Sequence, residues 1–190
     1  MAMFHMANDS GLFRNHDEML AMGFQLQGNR FVKDNEIFLP LYEAKMAGMY
    51  DHRSADVVVN SNLVHRQGQP DLLADEEKSD VNKLVMPRSW VNENSINDIL
   101  TNNYHLVWRA ISAATNERTF VTSILPKSGI GHSLFLISLG DNKGICNLMA
   151  NVNSFCFDYI CRQKMGGINI NYYLFKQLPV LPPEAYGKWG

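Results

Sequence analysis

The chain has 190 residues, of which 46% are apolar and 11% aromatic, so it is long enough for one domain with a sizeable core and short for two. No apolar run approaches the roughly 20 residues of a membrane-spanning helix, and the N-terminus has neither a long apolar leader nor a cleavage site. We therefore expect a soluble, cytoplasmic protein with no membrane partner.

The net charge of -2 conceals an asymmetry between the two halves of the sequence. Residues 1–100 carry nine Lys and Arg against fifteen Asp and Glu, whereas residues 101–190 carry eight against four. A basic second half suits contact with phosphate groups, although a dispersed solvated surface explains the counts equally well. The three cysteines lack the paired spacing of zinc ligands, which predicts reduced core residues: Cys146, Cys156 and Cys161.

The first elements follow from local signals. Asn15 and Glu18 have the spacing of a capping box before a short helix, which Gly23 would end. Residues 27–30, Gln-Gly-Asn-Arg, predict the turn of a hairpin. Residues 37–42 form an apolar run that contains a proline, which predicts a strand at a sheet edge or bend.

The middle of the chain is less regular. Residues 61–80 are polar and lack periodicity, which predicts a mobile insertion. Residues 83–91 are typical of an interrupted strand. Ser95 has the position of a helix cap, with Asp98 at the reciprocal position and the helix running through Leu100.

Three runs rich in branched and aromatic residues predict strands at residues 104–111, 119–125 and 133–139. The polar segments between them, residues 114–118 and 126–131, are predicted to be exposed loops. Strands followed by helices, without long alternation, favour an α+β fold. We expect a single domain, residues 1–190, with a twisted, mainly antiparallel or mixed sheet and helices packed at one side.

The closing segment predicts a helix from residue 145 to residue 164. Asn151 and Asn153 favour a break into two helices, and Gly166 and Gly167 would end the second by adopting positive φ. Apolar residues at helical spacing predict a buried stripe: Leu148, Val152, Phe155 and Tyr159. Other aromatic residues in apolar settings are also predicted to be core: Tyr42, Trp90 and Trp108.

The sequence contains no convincing catalytic constellation. The glycine-containing methyl-donor loop and the Asn/Asp-Pro-Pro-aromatic motif of an adenine methyltransferase are absent, and the only double proline is followed by Glu184. Asp71, Glu76 and Lys78 have the residue types of a magnesium-dependent nuclease, but an acidic surface loop is the better interpretation. We assign no catalytic residue and no metal ligand.

DNA recognition makes other demands. Base edges are distinguished by Arg, Asn and Gln, while Lys, Arg and backbone amides hold phosphates. Such groups occur together in the Arg-Gln-Lys run at residues 162–164 and in the glycines and asparagine that follow. On spacing alone, an ordinary basic helix end with a glycine cap is favoured over a DNA contact.

Longer blocks carry a family resemblance. They are FHMANDSGLF at residues 4–13, GNRFVK at 28–33, PLYEAKMAGMYDHR at 40–53, MPRSWV at 86–91, WRAISAATNERTFVTSILP at 108–126, and NSFCFDYICRQKMGGINI at 153–170 followed by QLPVLPP. In this order they resemble the C-terminal target-recognition domain of type IIG-like restriction-modification, adenine-specific DNA methyltransferases. The helix, glycine loop and proline stop are also similar to the recognition domains of type I specificity subunits. The resemblance covers most of the chain and is weakest over residues 61–80.

The resemblance implies a part of a larger enzyme that binds double-stranded DNA and reads the major groove. It would help to present a flipped adenine to the methyltransferase domain of the same polypeptide. S-adenosylmethionine would bind in that domain, and no cofactor is expected here. The residues expected to contact DNA are Lys45, Arg118, Arg162, Gln163, Lys164, Gly166, Gly167 and Asn169.

Two alternatives stay open at this stage. In the first, the chain is a protein-interaction module of a restriction-modification complex. In the second, which the sequence favours less, it is the magnesium-dependent nuclease described above. The matched motifs at residues 51–53 and 116–119 contact DNA or form framework ion pairs, and the sequence favours neither.

Overall fold

The computed structural model describes residues 3–59, 68–97, 99–100, 102–137, 139 and 144–189. Within these ranges the strands are β1 (Phe13–Arg14), β2 (Gln25–Gln27), β3 (Arg30–Lys33), β4 (Glu36–Tyr42), β5 (Ala55–Val59), β6 (Gly68–Leu72), β7 (Trp90–Asn92), β8 (Tyr104–Arg109), β9 (Thr122–Pro126), β10 (Gly129–Ile130) and β11 (Leu134–Ile137). The α-helices are α1 (His16–Ala21), α2 (Asp75–Ser79), α3 (Glu93–Asn97), α4 (Ile145–Val152), α5 (Phe155–Lys164) and α6 (Tyr172–Phe175). Short 3₁₀ segments occur at Ser10–Leu12, Ala44–Met46 and Pro183–Trp189.

The fold is α+β with mainly antiparallel sheets, as the sequence predicts. One sheet has the order β1-β7-β4-β3-β2, with β10 also paired to β4. A second has the order β11-β8-β9, and β5 and β6 form a two-stranded ribbon. No helix within the described residues is long and apolar enough to cross a bilayer.

The N-terminal elements form as their local signals predict. Asn15 accepts a hydrogen bond from the Glu18 amide, and the Glu18 carboxylate accepts one from the Asn15 amide, which completes the capping box of α1. Gly23 ends this helix with φ +83°, and Gly28 turns the β2–β3 hairpin with φ +64°. Both angles lie in the left-handed region that glycine adopts without a side-chain penalty.

The strand predicted at residues 37–42, at a sheet edge or bend, forms as β4, but an edge position is wrong, because β4 lies in the interior of the large sheet. It pairs with β7 on one side, and on the other with β3 and then, in parallel, with β10. Pro40 lies between Phe38, the last partner of β3, and Leu41, the first partner of β10. Its missing N–H therefore falls at the junction of two pairings, where it is tolerated.

The expected exposed loop at residues 126–131 is also different in the structure. Ser128, Gly129 and Ile130 are buried, and the last two form β10. A Cβ built on Gly129 would lie 2.6 Å from Val91 Cγ1 and 3.0 Å from Leu41 Cδ1. Only glycine therefore lets the backbone approach β4 so closely.

Three groups of buried side chains make up the core. Trp90 packs edge-to-face on Phe31 beneath the hairpin, and Trp108 packs against Phe120 and Phe175 beneath the C-terminal helices. A central cluster between them includes Tyr42. The predicted burial of Tyr42, Trp90 and Trp108 is confirmed.

Three predictions concern the middle of the chain. Residues 60–67 of the predicted insertion lie outside the described residues, and residues 68–80 contain β6 and α2, so the predicted mobility stays untested. The strand expected at residues 83–91 is confined to β7. The helix expected after Ser95 begins at Glu93, and Asp98 lies outside the described residues.

Replacing Gly129 by Ala should destabilise the chain by about 2 kcal/mol, because the added methyl group overlaps Val91 Cγ1 in a packed core. Urea denaturation followed by tryptophan fluorescence measures this loss. Gly166→Ala is the matched control, since its Cβ would meet nothing within 4 Å. Equal stability of the two variants would contradict the packing of β10 on β4.

Candidate nucleic-acid interface

The predicted break in the closing helix is confirmed, and it determines which face of α5 is buried. α4 ends at Val152, and α5 begins after Ser154, whose hydroxyl accepts a hydrogen bond from the Phe157 amide at 3.2 Å. The break shifts the helical phase, so Phe157 and Cys161 face the core. The prediction of one continuous buried stripe is therefore wrong.

Phe155 and Tyr159 are the residues most affected by this shift. Their side chains are 80% and 64% exposed, whereas the sequence analysis places them in the core. They lie one helical turn apart, and Gln163, also exposed, lies one turn further on. The row of three spans about 12 Å along the helix axis.

Asp158 anchors the opposite side of α5. Its buried carboxylate accepts hydrogen bonds from the backbone amides of Thr119 at 2.8 Å and Phe120 at 2.7 Å, and from Arg162 Nε at 2.8 Å. Burial alone would raise its pKa, but the Phe120 amide, the Arg162 guanidinium and the Thr119 amide together hold the pKa below its usual 3.8. The carboxylate is therefore ionised at neutral pH.

Arg162 extends this anchor to the neighbouring loop. Besides Asp158, its guanidinium donates to the carbonyl oxygens of Ala114, at 2.9 Å, and Glu117. Three of its five N–H groups are thus committed to holding residues 114–117 against α5. The residue expected to contact DNA is first a positioning residue of the framework.

Arg118 also makes two contacts at α5, one with the backbone and one with an aromatic ring. Its guanidinium donates to the Asn153 carbonyl and lies over the Phe155 ring, 4.5 Å from the ring centre. This cation–π contact orients an exposed aromatic side chain at the start of α5. Asn153 in turn accepts from the Thr122 amide at 3.0 Å and donates to the Thr122 carbonyl at 3.1 Å.

The glycine loop after α5 is open but fixed at its far end. α5 ends at Lys164 with Met165 extended, so the prediction that glycines of positive φ end the helix is wrong. A Cβ on Gly166 or Gly167 would meet nothing within 4 Å. Beyond them, Asn169 pairs with Ile111 in an antiparallel bridge.

The structure therefore separates the eight predicted contact residues into three groups. Lys45 lies apart, on the 3₁₀ segment after β4, where its ammonium donates to the Gly68 carbonyl at 2.7 Å and pairs with Glu43 at 3.3 Å. Arg118 and Arg162 form the second group, and their guanidinium groups donate to backbone carbonyl oxygens of neighbouring segments. Exposed residues at the end of α5 and in the loop form the third group: Gln163, Lys164, Gly166, Gly167 and Asn169.

The nuclease residues are not arranged for metal chemistry. Asp71 and Glu76 are exposed, and Lys78 forms an ion pair with Asp51 at 2.9 Å. In the described part of the chain, no group of three or more His, Cys, Asp or Glu is placed to hold a metal ion. Lys78 is therefore part of the framework.

Arg53 also has a framework position. Its guanidinium donates to the carbonyl oxygens of Lys78, Asp80 and Lys83, which ties the loop after β4 to the end of α2. Asp51, in the same 51–53 motif, forms its ion pair with Lys78.

The predicted core position of the cysteines holds only for Cys161. It is buried against α5 neighbours, and burial raises the pKa of its thiol to about 11. Cys146 and Cys156 are exposed. The described cysteines are free thiols.

Sequence reasoning missed the exposed aromatic row on α5. The signal that identifies it is Ser154, a good N-cap residue three positions before Phe157. Starting the second helix at that cap assigns Phe157 and Cys161 to the core and leaves Phe155, Tyr159 and Gln163 outside.

Comparison of the chain with protein-family models, with curated proteins and with solved structures gave no match.

Asp158→Asn should destabilise the chain by about 2 kcal/mol, because it removes the charge that three donors address. The pKa of Asp158 is depressed in the folded chain, so this contribution is present above the pKa of the unfolded chain and is lost as the pH falls through the folded value. The stability difference from the unmodified chain should be constant from pH 7 to about 5 and shrink below about pH 4. Urea titrations across this range measure it, and Asp17→Asn, at an exposed carboxylate, is the control. A difference that grows on acidification would contradict the assignment.

Proposed function

We propose that this chain binds double-stranded DNA, as the target-recognition domain of an adenine-N6 methyltransferase or restriction enzyme. The exposed face of α5 is the observation that carries the proposal. Buried Asp158 fixes one side of this helix, while Phe155, Tyr159 and Gln163 form a row on the other. Lys164 and the open glycines continue the row at its end.

The dimensions and chemistry of this face suit a DNA groove. The major groove is about 12 Å wide and admits one α-helix. Gln163 carries the paired donor and acceptor that match an adenine edge, and Asn169 offers the same groups from the loop. Lys164 adds a cation for a backbone phosphate, and the bare backbone at Gly166 and Gly167 permits close approach.

Two arginines hold this face of α5 in position. Arg162 holds the 114–117 loop against α5, and Arg118 holds the Phe155 ring. The Nε–H of Arg118 is buried, so only the terminal N–H groups of its guanidinium would be available to a phosphate. Lys45 would have to release the Gly68 carbonyl before it contacts DNA, so we rank it below the α5 residues.

The catalytic step would belong to the rest of the polypeptide. The resemblance in the closing segment implies a methyltransferase domain that binds S-adenosylmethionine and receives the flipped adenine. The present chain would fix the position of the duplex, and DNA of the bacterial cytoplasm would be its partner.

A protein-interaction module is the second candidate. The exposed aromatic residues favour it, since Phe155, Tyr159 and Tyr173 are 80%, 64% and 79% exposed. Exposed aromatic side chains are common in protein interfaces. The nuclease alternative receives no support, because Lys78 is paired with Asp51.

Lys164→Ala should weaken binding of the chain to duplex DNA about threefold to tenfold, because one phosphate contact is lost. The slope of log K against log salt concentration should fall by about 1. Fluorescence anisotropy with a labelled duplex at several salt concentrations measures both quantities. Lys33→Ala removes the same charge from an exposed lysine of β3 and should change neither. Equal effects of the two substitutions would exclude the α5 face.

Phe155→Ala combined with Tyr159→Ala separates the two candidates. If the aromatic row lies against DNA, duplex affinity of the double variant should fall about fivefold or more, because such contacts contribute on the order of 1 kcal/mol. Folding should be unaffected, since both side chains are exposed. Unchanged duplex affinity, measured by the same anisotropy assay, would assign the row to a protein partner.

A further inference from the structure

A second concave site lies away from α5, between the large sheet and the loop that follows β4. It is a cleft of about 560 Å³, lined by residues of β2, β3 and β4, by the 51–53 loop, by residues 84–85 and by the end of β9. This volume is within the range of small-molecule sites, roughly 300 to 1,000 Å³. No residue of α5 lines it.

Two side chains supply the central polar groups of the cleft. Tyr42 lines the cleft although it is only 1% exposed. His52 lines the same cleft, and burial, followed by the charge of Arg53, lowers its pKa below 6.5, so its imidazole is neutral at pH 7. The cleft therefore presents a phenol and a neutral imidazole to any occupant.

The remaining lining is apolar on the walls and cationic at the rim. Arg30, Arg53 and Lys127 contribute positive charge, and no carboxylate is among the lining residues. Arg30 is exposed and has no hydrogen bond or ion pair with a described residue, whereas Lys127 shares Glu93 at 3.3 Å. The apolar walls come from Val32, Ile37, Pro40, Leu84 and Val85.

This charge pattern is opposite to that of the surrounding sequence. Residues 1–100 carry six more acidic than basic side chains and supply all of the cleft lining except Pro126 and Lys127, yet the charged lining residues are all cations. Asp51, whose charge is the second cause, after burial, of the raised pKa of Tyr42, is paired with Lys78. The cleft thus suits a ligand with an apolar ring, hydrogen-bonding edges and a negative group.

We propose that this cleft binds a nucleoside monophosphate group, with the base between the apolar walls, its polar edge on Tyr42 and His52, and the phosphate beside Arg30 and Lys127. The group comes either from a free mononucleotide or from an unpaired nucleotide of a strand. The site is independent of the duplex-binding face, because no residue of the cleft belongs to the α5 row.

The two sites are joined by β9. Thr122, at the start of this strand, contacts Asn153 beside α5, and Pro126, at its end, lines the cleft. At about 3.3 Å per residue the strand separates them by about 13 Å.

Isothermal titration of the full chain with AMP, CMP, adenosine and inorganic phosphate tests the proposal. We expect both mononucleotides to bind more tightly than adenosine or phosphate alone. Tyr42→Phe should weaken AMP binding about tenfold, because the hydroxyl would lose its contact with the ligand. The unfolding midpoint of this variant is measured alongside, so that a loss of binding is attributed to the cleft and not to unfolding. Arg30→Ala should weaken AMP binding about tenfold and leave adenosine binding unchanged.

Lys33→Ala, an exposed charge on the same hairpin outside the cleft lining, is the control and should leave AMP binding unchanged. A short single-stranded oligonucleotide that displaces AMP would identify a strand as the source, and failure to displace it would identify the free nucleotide. Absence of mononucleotide binding at millimolar concentration, phosphate binding as tight as AMP binding, or full affinity in both Tyr42→Phe and Arg30→Ala would overturn the proposal. None of these results depends on whether Lys164 contacts a duplex.

Discussion

The buried carboxylate of Asp158 determines how the C-terminal half of the chain is arranged. It collects two backbone amides at the approach to β9 and the guanidinium of Arg162, which itself holds the 114–117 loop. Each donor would be unsatisfied without it, and unpaired polar groups in a buried setting are costly. One ionised side chain thereby orients α5, and the orientation of α5 decides that Phe155 and Tyr159 face outward.

Structural features that depend on only a few neighbouring residues could be predicted from the sequence. The capping box of Asn15 and the left-handed Gly23 and Gly28 depend only on adjacent backbone geometry, and the structure contains all three. The interior position of β4 could not be predicted, because it depends on pairing with β7, about 50 residues away in the sequence. The exposed aromatic row was missed for a different reason. Two residues of non-helical backbone at Asn153 and Ser154 change the helical phase, and a periodicity carried across them assigns the wrong face.

The same limit of sequence-based prediction applies to the charged residues of the candidate site. Arg162, Lys45 and Lys164 are equivalent as charges in a sequence, yet the first two donate to carbonyl oxygens of distant segments, besides a carboxylate nearby in the sequence. Only the fold reveals where those acceptors lie. The distinction matters for function, because a guanidinium that already holds a loop contributes chiefly by positioning, whereas an exposed ammonium is available to phosphate. Charge counts over half a chain therefore do not locate an interface.

A shared acceptor connects the two surfaces of the molecule. The Thr122 carbonyl accepts hydrogen bonds from Asn153 Nδ2, beside α5, and from the Tyr50 amide, each at 3.1 Å. Tyr50 has φ +61°, a conformation that a bulky residue rarely adopts, and it immediately precedes the loop that carries His52 into the cleft. A shift of Asn153 must therefore either carry Thr122 with it or break the bonds between them, and a shift of Thr122 removes a bond that holds Tyr50 in its strained conformation. The Thr122 carbonyl oxygen thus ties the break between α4 and α5 to the residue that precedes the His52 loop.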